Sequence, residues 1–221
     1  MSEASRPTAD KVSTAVPTER VAHALVRDVD LPHHGGTLAL VTVDNALDRT
    51  KPTTFGPQGL AELRATLLTQ RRRAADGKIV AVGLTGKPGC LVAGADLGII
   101  GAITEADAAR RMGELGHATF RLLGELGVPT FAYVNGIALG GGLELALHCT
   151  YRTVSADVTA IALPETLLGL VPGWGGCSLL PRVVGLRHAL DLILTHPLAN
   201  NRMTTASQAH AIGLVDAVLP A

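Results

Sequence analysis

Two glycine-bearing stretches constrain this chain more than any other feature. Gly86-Lys-Pro-Gly-Cys-Leu-Val-Ala-Gly-Ala-Asp96 follows the apolar run at 79–84, and Asn135-Gly-Ile-Ala-Leu-Gly-Gly-Gly-Leu-Glu144 follows the one at 131–134. Glycine lets backbone N–H groups turn outward and lets a ligand approach the main chain. In the second stretch three glycines open a helical pattern. Unpaired N–H groups and the positive end of the helix dipole then face whatever binds there. Two such loops side by side could set two donors on one oxygen, which is an oxyanion hole. A tight packing turn is the other reading each loop allows on its own. A P-loop is excluded because no Gly-Lys-Ser/Thr follows, and a dinucleotide fingerprint fails at Leu145, where Gly or Ala is needed.

Around these loops strand and helix patterns alternate, which predicts an α/β class. Strands are expected at 21–30 and 37–44, joined as a hairpin by Pro32-His-His-Gly-Gly36, and at 79–84, 131–134, 151–156 and 159–163. Pro57 suits a first helical position, with Leu60, Leu63 and Leu67 at helical spacing behind it. Thr104-Glu-Ala-Asp107 resembles a capping box ahead of a long helix whose stripe runs from Ala108 through Met112 to Leu126. A further helix is expected from Leu143 to His148, then short ones near 174–184, 186–195 and 204–211, and a final apolar run at 214–219. No internal sequence repeat is visible. Residues 1–20 read as a polar tail and 21–221 as one domain.

With 47% apolar residues a sizeable core can be buried, and 19 basic against 19 acidic side chains argue against a nucleic-acid partner. No apolar run reaches transmembrane length and the first twenty residues hold no signal-like apolar region, so the expectation is a cytoplasmic protein without a membrane partner. Cys90, Cys149 and Cys177 are widely spaced and read as reduced thiols, and no metal-ligand spacing is present.

Two acids stand in apolar surroundings: Glu144 in Gly-Leu-Glu-Leu-Ala-Leu and Glu165 in Ala-Leu-Pro-Glu-Thr-Leu-Leu. Desolvation there would raise their pKa values toward neutrality, which suits acid–base work. A surface acid near a helix start and a turn acid after Pro164 are the alternatives. The histidines, His148 included, read as structural or surface residues, and Asp96 as a helix cap.

The motifs Ala93-Gly-Ala-Asp96, Val134-Asn-Gly-Ile-Ala-Leu-Gly-Gly-Gly-Leu-Glu144, Pro164-Glu-Thr-Leu-Leu-Gly-Leu-Val-Pro-Gly-Trp-Gly-Gly176 and Ala211-Ile-Gly-Leu-Val-Asp216 occur in one order. Together they resemble the enoyl-CoA hydratase/isomerase (crotonase) superfamily over about residues 35–219. Lys51-Pro-Thr-Thr-Phe-Gly-Pro-Gln-Gly-Leu60 and the Pro-Gly-Trp-Gly-Gly loop resemble, more narrowly, the hydratase portion of multifunctional fatty-acid oxidation proteins, which fuse it to a 3-hydroxyacyl-CoA dehydrogenase.

The resemblance implies a crotonase-like spiral of ββα units with flanking helices, two nearly perpendicular sheets, and the hydration of trans-2-enoyl-CoA in fatty-acid β-oxidation. Isomerisation or another crotonase-type reaction, or a non-catalytic acyl-CoA-binding domain, are the alternatives. It assigns the thioester oxygen to the N–H groups of Ala95 and Gly141, and catalysis to Glu144 and Glu165. Ala93, Gly94, Asp96, Leu97, Gly140, Gly173 and Trp174 are assigned to substrate binding. Lys87 is read either as a neutraliser of a coenzyme A phosphate or as a solvated turn lysine. No metal or cofactor is implied, coenzyme A being part of the acyl-CoA substrate. A homotrimer or hexamer is implied. The C-terminal helical segment usual in the family is expected to be lacking.

Overall fold

Ala39, Val41 and Val43 alternate with more exposed neighbours, so residues 37–44 fold as a strand with one face turned to the core. The computed structural model describes residues 18–221; most of the expected tail lies outside the described residues. Strand β1 (His23–Asp30) pairs antiparallel with β2 (Thr37–Asp44) along its whole length, from His23 opposite Asp44 to Asp30 opposite Thr37. β2 then starts a parallel series through β3 (Ala81–Gly86), β5 (Thr130–Val134), β7 (Tyr151–Ser155) and β9 (Ala217–Leu219), giving a six-stranded sheet.

A second, three-stranded parallel sheet consists of β4 (Gly89–Val92), β6 (Gly136–Leu139) and β8 (Ile161–Ala162). The chain therefore alternates between sheets: β3 to β4, β5 to β6, β7 to β8, each pair followed by a helical element. This is a ββα repeat in space that leaves no repeat in the sequence. Two of these strands fall inside the glycine stretches read as loops. Four-residue strands with glycine at one end carry too little alternation to be recognised, and they exist because they pair with each other.

The core lies under the large sheet. Leu60, Leu63 and Leu67 of α1 (Pro57–Ala75) are fully buried, and α1 packs on α3 (Ala106–Arg121). Every residue of α4 (Gly141–Leu147) is buried against β4, β6 and α5 (Gly176–Leu190). That fit requires Gly142, because a Cβ there would stand 1.9 Å from the Val92 carbonyl oxygen. The expected break near 185 is present as a kink at Gly185, φ 79. The expected capping box is not formed at 104–107: Glu105 is the N-cap and makes no side-chain cap bond. The box forms instead at Thr205 and Gln208, where both reciprocal bonds are present.

Arg152 of β7 ties the end of the chain to the sheet. Its buried guanidinium donates to the carbonyls of Leu214 (3.0 Å) and Cys149 (2.8 Å), while its N–H donates to Asp216 (2.7 Å). Replacing Arg152 by Leu leaves two buried carbonyls without donors, at about 1–3 kcal/mol each. Urea unfolding of Arg152→Leu should show a loss of roughly 2–6 kcal/mol on that basis. A loss near zero would mean that water satisfies both carbonyls.

Candidate active site

Each glycine stretch ends at the same cavity, and each is held there by backbone hydrogen bonds. Residues 93–96 lie beside Thr53 and Phe55: Ala93 N–H donates to Thr53 (2.8 Å), Phe55 N–H to Gly94 (2.8 Å) and Asp96 N–H to Phe55 (2.8 Å). Gly140 N–H donates to Ala162 of β8 (2.9 Å), which fixes the start of α4. The two segments abut, since a Cβ on Gly94 would lie 3.6 Å from the Gly141 nitrogen. Among the described residues no hydrogen bond takes the N–H of Ala95 or of Gly141. Two donors are thus left for a ligand where the segments meet.

The cavity has a volume of about 480 Å³ and a mostly apolar wall. Ala93, Gly94, Ala95 and Leu97 line it from the first segment, Gly140, Gly141 and Glu144 from the second, and Glu165, Gly173 and Trp174 from the third motif. Asp96 alone of the assigned residues is elsewhere: its Oδ1 caps α2 (Leu97–Gly101) by accepting from Gly98 (2.9 Å) and Ile99 (3.3 Å). The wall also includes Ile100, Ile103, Met112, Leu168, Leu170 and Val171. Met112 reads as core packing in the sequence, and nothing in an apolar stripe separates a cavity wall from a filled core. Trp174 is 6% exposed and edge-on to Phe120 at 5.4 Å. Its indole fills the space left by two glycines, for a Cβ on Gly116 or Gly141 would come within 2.3 or 2.5 Å of the ring.

Glu144 is 2% exposed. Its Oε1 accepts from the N–H groups of Trp174 (2.7 Å) and Gly176 (2.8 Å). Burial pushes its pKa up to about 7; the nearby Glu165 adds to the rise, and the two N–H bonds oppose it. Glu165 sits in the 3₁₀ turn Pro164–Leu168, with Oε1 close beside Gly140 and a buried Oε2 that has no partner among the described residues. Burial raises it to about 7 as well. Both acids therefore titrate well above the ordinary carboxylate range, and Glu165 contributes to the rise of Glu144.

Lys87 fits neither of its two readings. It is 3% exposed, and its Nζ donates to Asn45 Oδ1 (2.6 Å) and to the carbonyls of Leu47 (3.0 Å) and Asp48 (3.1 Å). Asn45 donates in turn to Pro52 (3.1 Å), next to the Thr53 that holds Ala93. Lys87 is an internal brace for the first loop, not a surface cation. Asn45 carries no local signal of this role. No group of potential metal ligands occurs among the described residues, and no helix of the described residues is long and apolar enough to cross a membrane.

The sequence pattern of the enoyl-CoA hydratase/isomerase family matches residues 36–221. The fatty acid oxidation complex subunit alpha of Shewanella loihica is 39% identical over 186 residues, which is 83% of this chain and 25% of the relative. The chain thus spans about a quarter of the length of the curated relatives it matches. Among solved structures, Pseudomonas aeruginosa DspI superposes with a TM-score of 0.74 at 31% identity, covering 95% of this chain and 77% of that one. An enoyl-CoA hydratase from Bacillus anthracis gives 0.72 at 30% identity, covering 88% and 70%.

The raised acids have a consequence for stability. A carboxyl near 4.5 in the unfolded chain and near 7 in the fold binds its proton more tightly when folded. Its contribution is complete below about pH 4.5 and is lost as pH rises through about 7. His148 and His196, both lowered by burial, act in the opposite sense. The difference between wild type and the Glu144→Gln/Glu165→Gln double variant isolates the acids. In thermal melts from pH 5 to 8 the double variant should gain stability relative to wild type as pH rises. Parallel curves would show that the pair is not desolvated in the fold.

Proposed function

The chain belongs to the enoyl-CoA hydratase/isomerase family, and from that membership and the cavity we propose that it hydrates trans-2-enoyl-CoA thioesters to 3-hydroxyacyl-CoA in fatty-acid β-oxidation. Its fold is of the crotonase type. The observation that carries the reading is the pair of raised acids on one apolar wall beside two unpaired N–H groups.

In this reading the thioester oxygen accepts from Ala95 and Gly141. Withdrawing electrons through the carbonyl makes Cβ electrophilic and stabilises the enolate-like charge that forms when oxygen adds there. The positive end of α4 adds to that stabilisation. A water held between the acids supplies the elements of addition. Ionised Glu144 takes a proton from it as its oxygen bonds Cβ, and protonated Glu165 gives a proton to Cα. The carbon–carbon double bond becomes single, water has been added across it, and proton exchange resets the pair. Hydrogen bonding supports this division of labour. Two N–H donors on Glu144 favour its charged form, whereas the unpartnered Oε2 of Glu165 favours the neutral one. Two acids rather than one favour hydration over isomerisation alone. The reaction so drawn uses coenzyme A only as part of the substrate and needs no metal or redox group. Leu97, Ile100, Ile103 and Met112 supply an apolar wall for the acyl chain. A cytoplasmic location, a trimer or hexamer, and association with a 3-hydroxyacyl-CoA dehydrogenase complete the proposal; the last is supported by likeness to the alpha subunit of a fatty acid oxidation complex.

The test is the loss of enoyl-thioester absorbance when purified protein is given crotonyl-CoA and longer homologues. Glu144→Gln and Glu165→Gln should each lower kcat by about 10²–10⁴-fold with thioester binding retained. The double variant should lose little beyond the worse single one, because both acids serve one water. A variant near the wild-type rate would remove that glutamate from the mechanism.

A further inference from the structure

The backbone of Trp174 is gripped on both sides by residues of α4 and its end. Its N–H donates to Glu144 Oε1 at 2.7 Å, and its carbonyl lies 2.8 Å from Nε2 of His148, one turn further along. A carbonyl only accepts, so His148 carries its proton on Nε2 and donates. The next peptide leads through Gly175, at φ 128, to Gly176, whose N–H is the second donor to Glu144. A Cβ on Gly175 would come within 2.5 Å of His148 Nε2, so the imidazole and this turn are fitted to each other. The His148 ring is itself held edge-on to Phe120 at 6.1 Å and to His117 of α3 at 6.0 Å.

We propose that His148 is a positioning residue: by donating to the Trp174 carbonyl it fixes residues 174–176 so that both N–H groups stay aimed at Glu144. Without that donor the peptide between Trp174 and Gly175 is free to turn, and a glycine on its far side offers little resistance. Burial keeps the ring below its ordinary pKa, and His117 is the titratable neighbour that pushes it the same way. Losing the N–H bonds would remove what opposes the rise of Glu144, so its pKa should climb further.

The kinetic arm of the test rests on the hydratase reading, and a spectroscopic arm does not. His148→Leu removes the donor, whereas His148→Gln keeps an N–H that can reach the same carbonyl. His148→Leu should lower kcat about 10–100-fold, the scale of a small misplacement of reacting groups, with KM changed by less than about twofold. The acid limb of its kcat–pH profile should move to higher pH. His148→Gln should recover most of kcat and the original profile. Trp174 is the chain's only tryptophan, so its emission without any substrate reports the loop directly. It should shift in His148→Leu and return in His148→Gln. A folded His148→Leu with wild-type kcat and emission would overturn the proposal, as would a folded His148→Gln as impaired as His148→Leu. If His148→Leu does not fold, His148→Gln decides: retained activity and emission support the clamp, and their loss in a folded protein refutes it. Should wild type hydrate no enoyl thioester, the hydratase reading falls, and the emission comparison still decides the clamp.

Discussion

A carboxylate buried as deeply as Glu144 must be given hydrogen-bond donors, and this requirement ties the site together. An unpaired charge in an apolar interior is costly enough that the group would simply stay protonated. Two backbone N–H groups from the turn at 174–176 supply what water cannot. They join the start of α4 to the start of α5, two elements far apart in sequence. Because the donors are main-chain groups, the turn has to hold one conformation for the acid to be charged at all. The balance between desolvation and these two bonds leaves Glu144 close to neutrality, where it can both lose and regain a proton.

The two-sheet arrangement sets the position of that turn's partners. Each time the chain leaves the large sheet it enters the small one before forming a helix. The ends of β4, β6 and β8 consequently emerge side by side, and each delivers one part of the cavity: Ala95, the start of α4, and Glu165. Parallel pairing in the small sheet fixes their relative heights, as when Gly140 N–H meets the Ala162 carbonyl. The first segment is further braced through Lys87, Asn45 and the Thr53–Phe55 strip. The Lys87 Nζ is held there by the carbonyls of Leu47 and Asp48 and by the Asn45 amide oxygen.

The apolar wall of the cavity also sets its electrostatics. It excludes water, which raises both acids and strengthens any hydrogen bond that a ligand makes to the free N–H groups. Trp174 joins these roles: its indole closes the cavity between Gly116 and Gly141, while its backbone serves Glu144 on one side and His148 on the other. Side chain and main chain of one residue thus couple the shape of the cavity to the charge state of Glu144.

Much of this was readable from residue order. The glycine loops, the two acids in apolar settings, the hairpin at the N-terminal edge and the alternation of strand and helix are local patterns, and local patterns survive in one dimension. The motifs in their order also carried the family, since four short signatures with fixed spacing rarely coincide. What the chain alone could not disclose depends on contacts between distant segments. β4 and β6 are strands only because they pair with each other. Lys87 looks like a surface residue until Asn45 and the carbonyls of Leu47 and Asp48 close over it. His148 has no sequence context to distinguish it, and its role exists only because Trp174, twenty-six residues later, is folded back onto it. Sequence by itself determined which groups this protein possesses and which surroundings they prefer; tertiary structure decided which are desolvated and which are hydrogen-bonded, because both depend on neighbours that burial assembles across the chain.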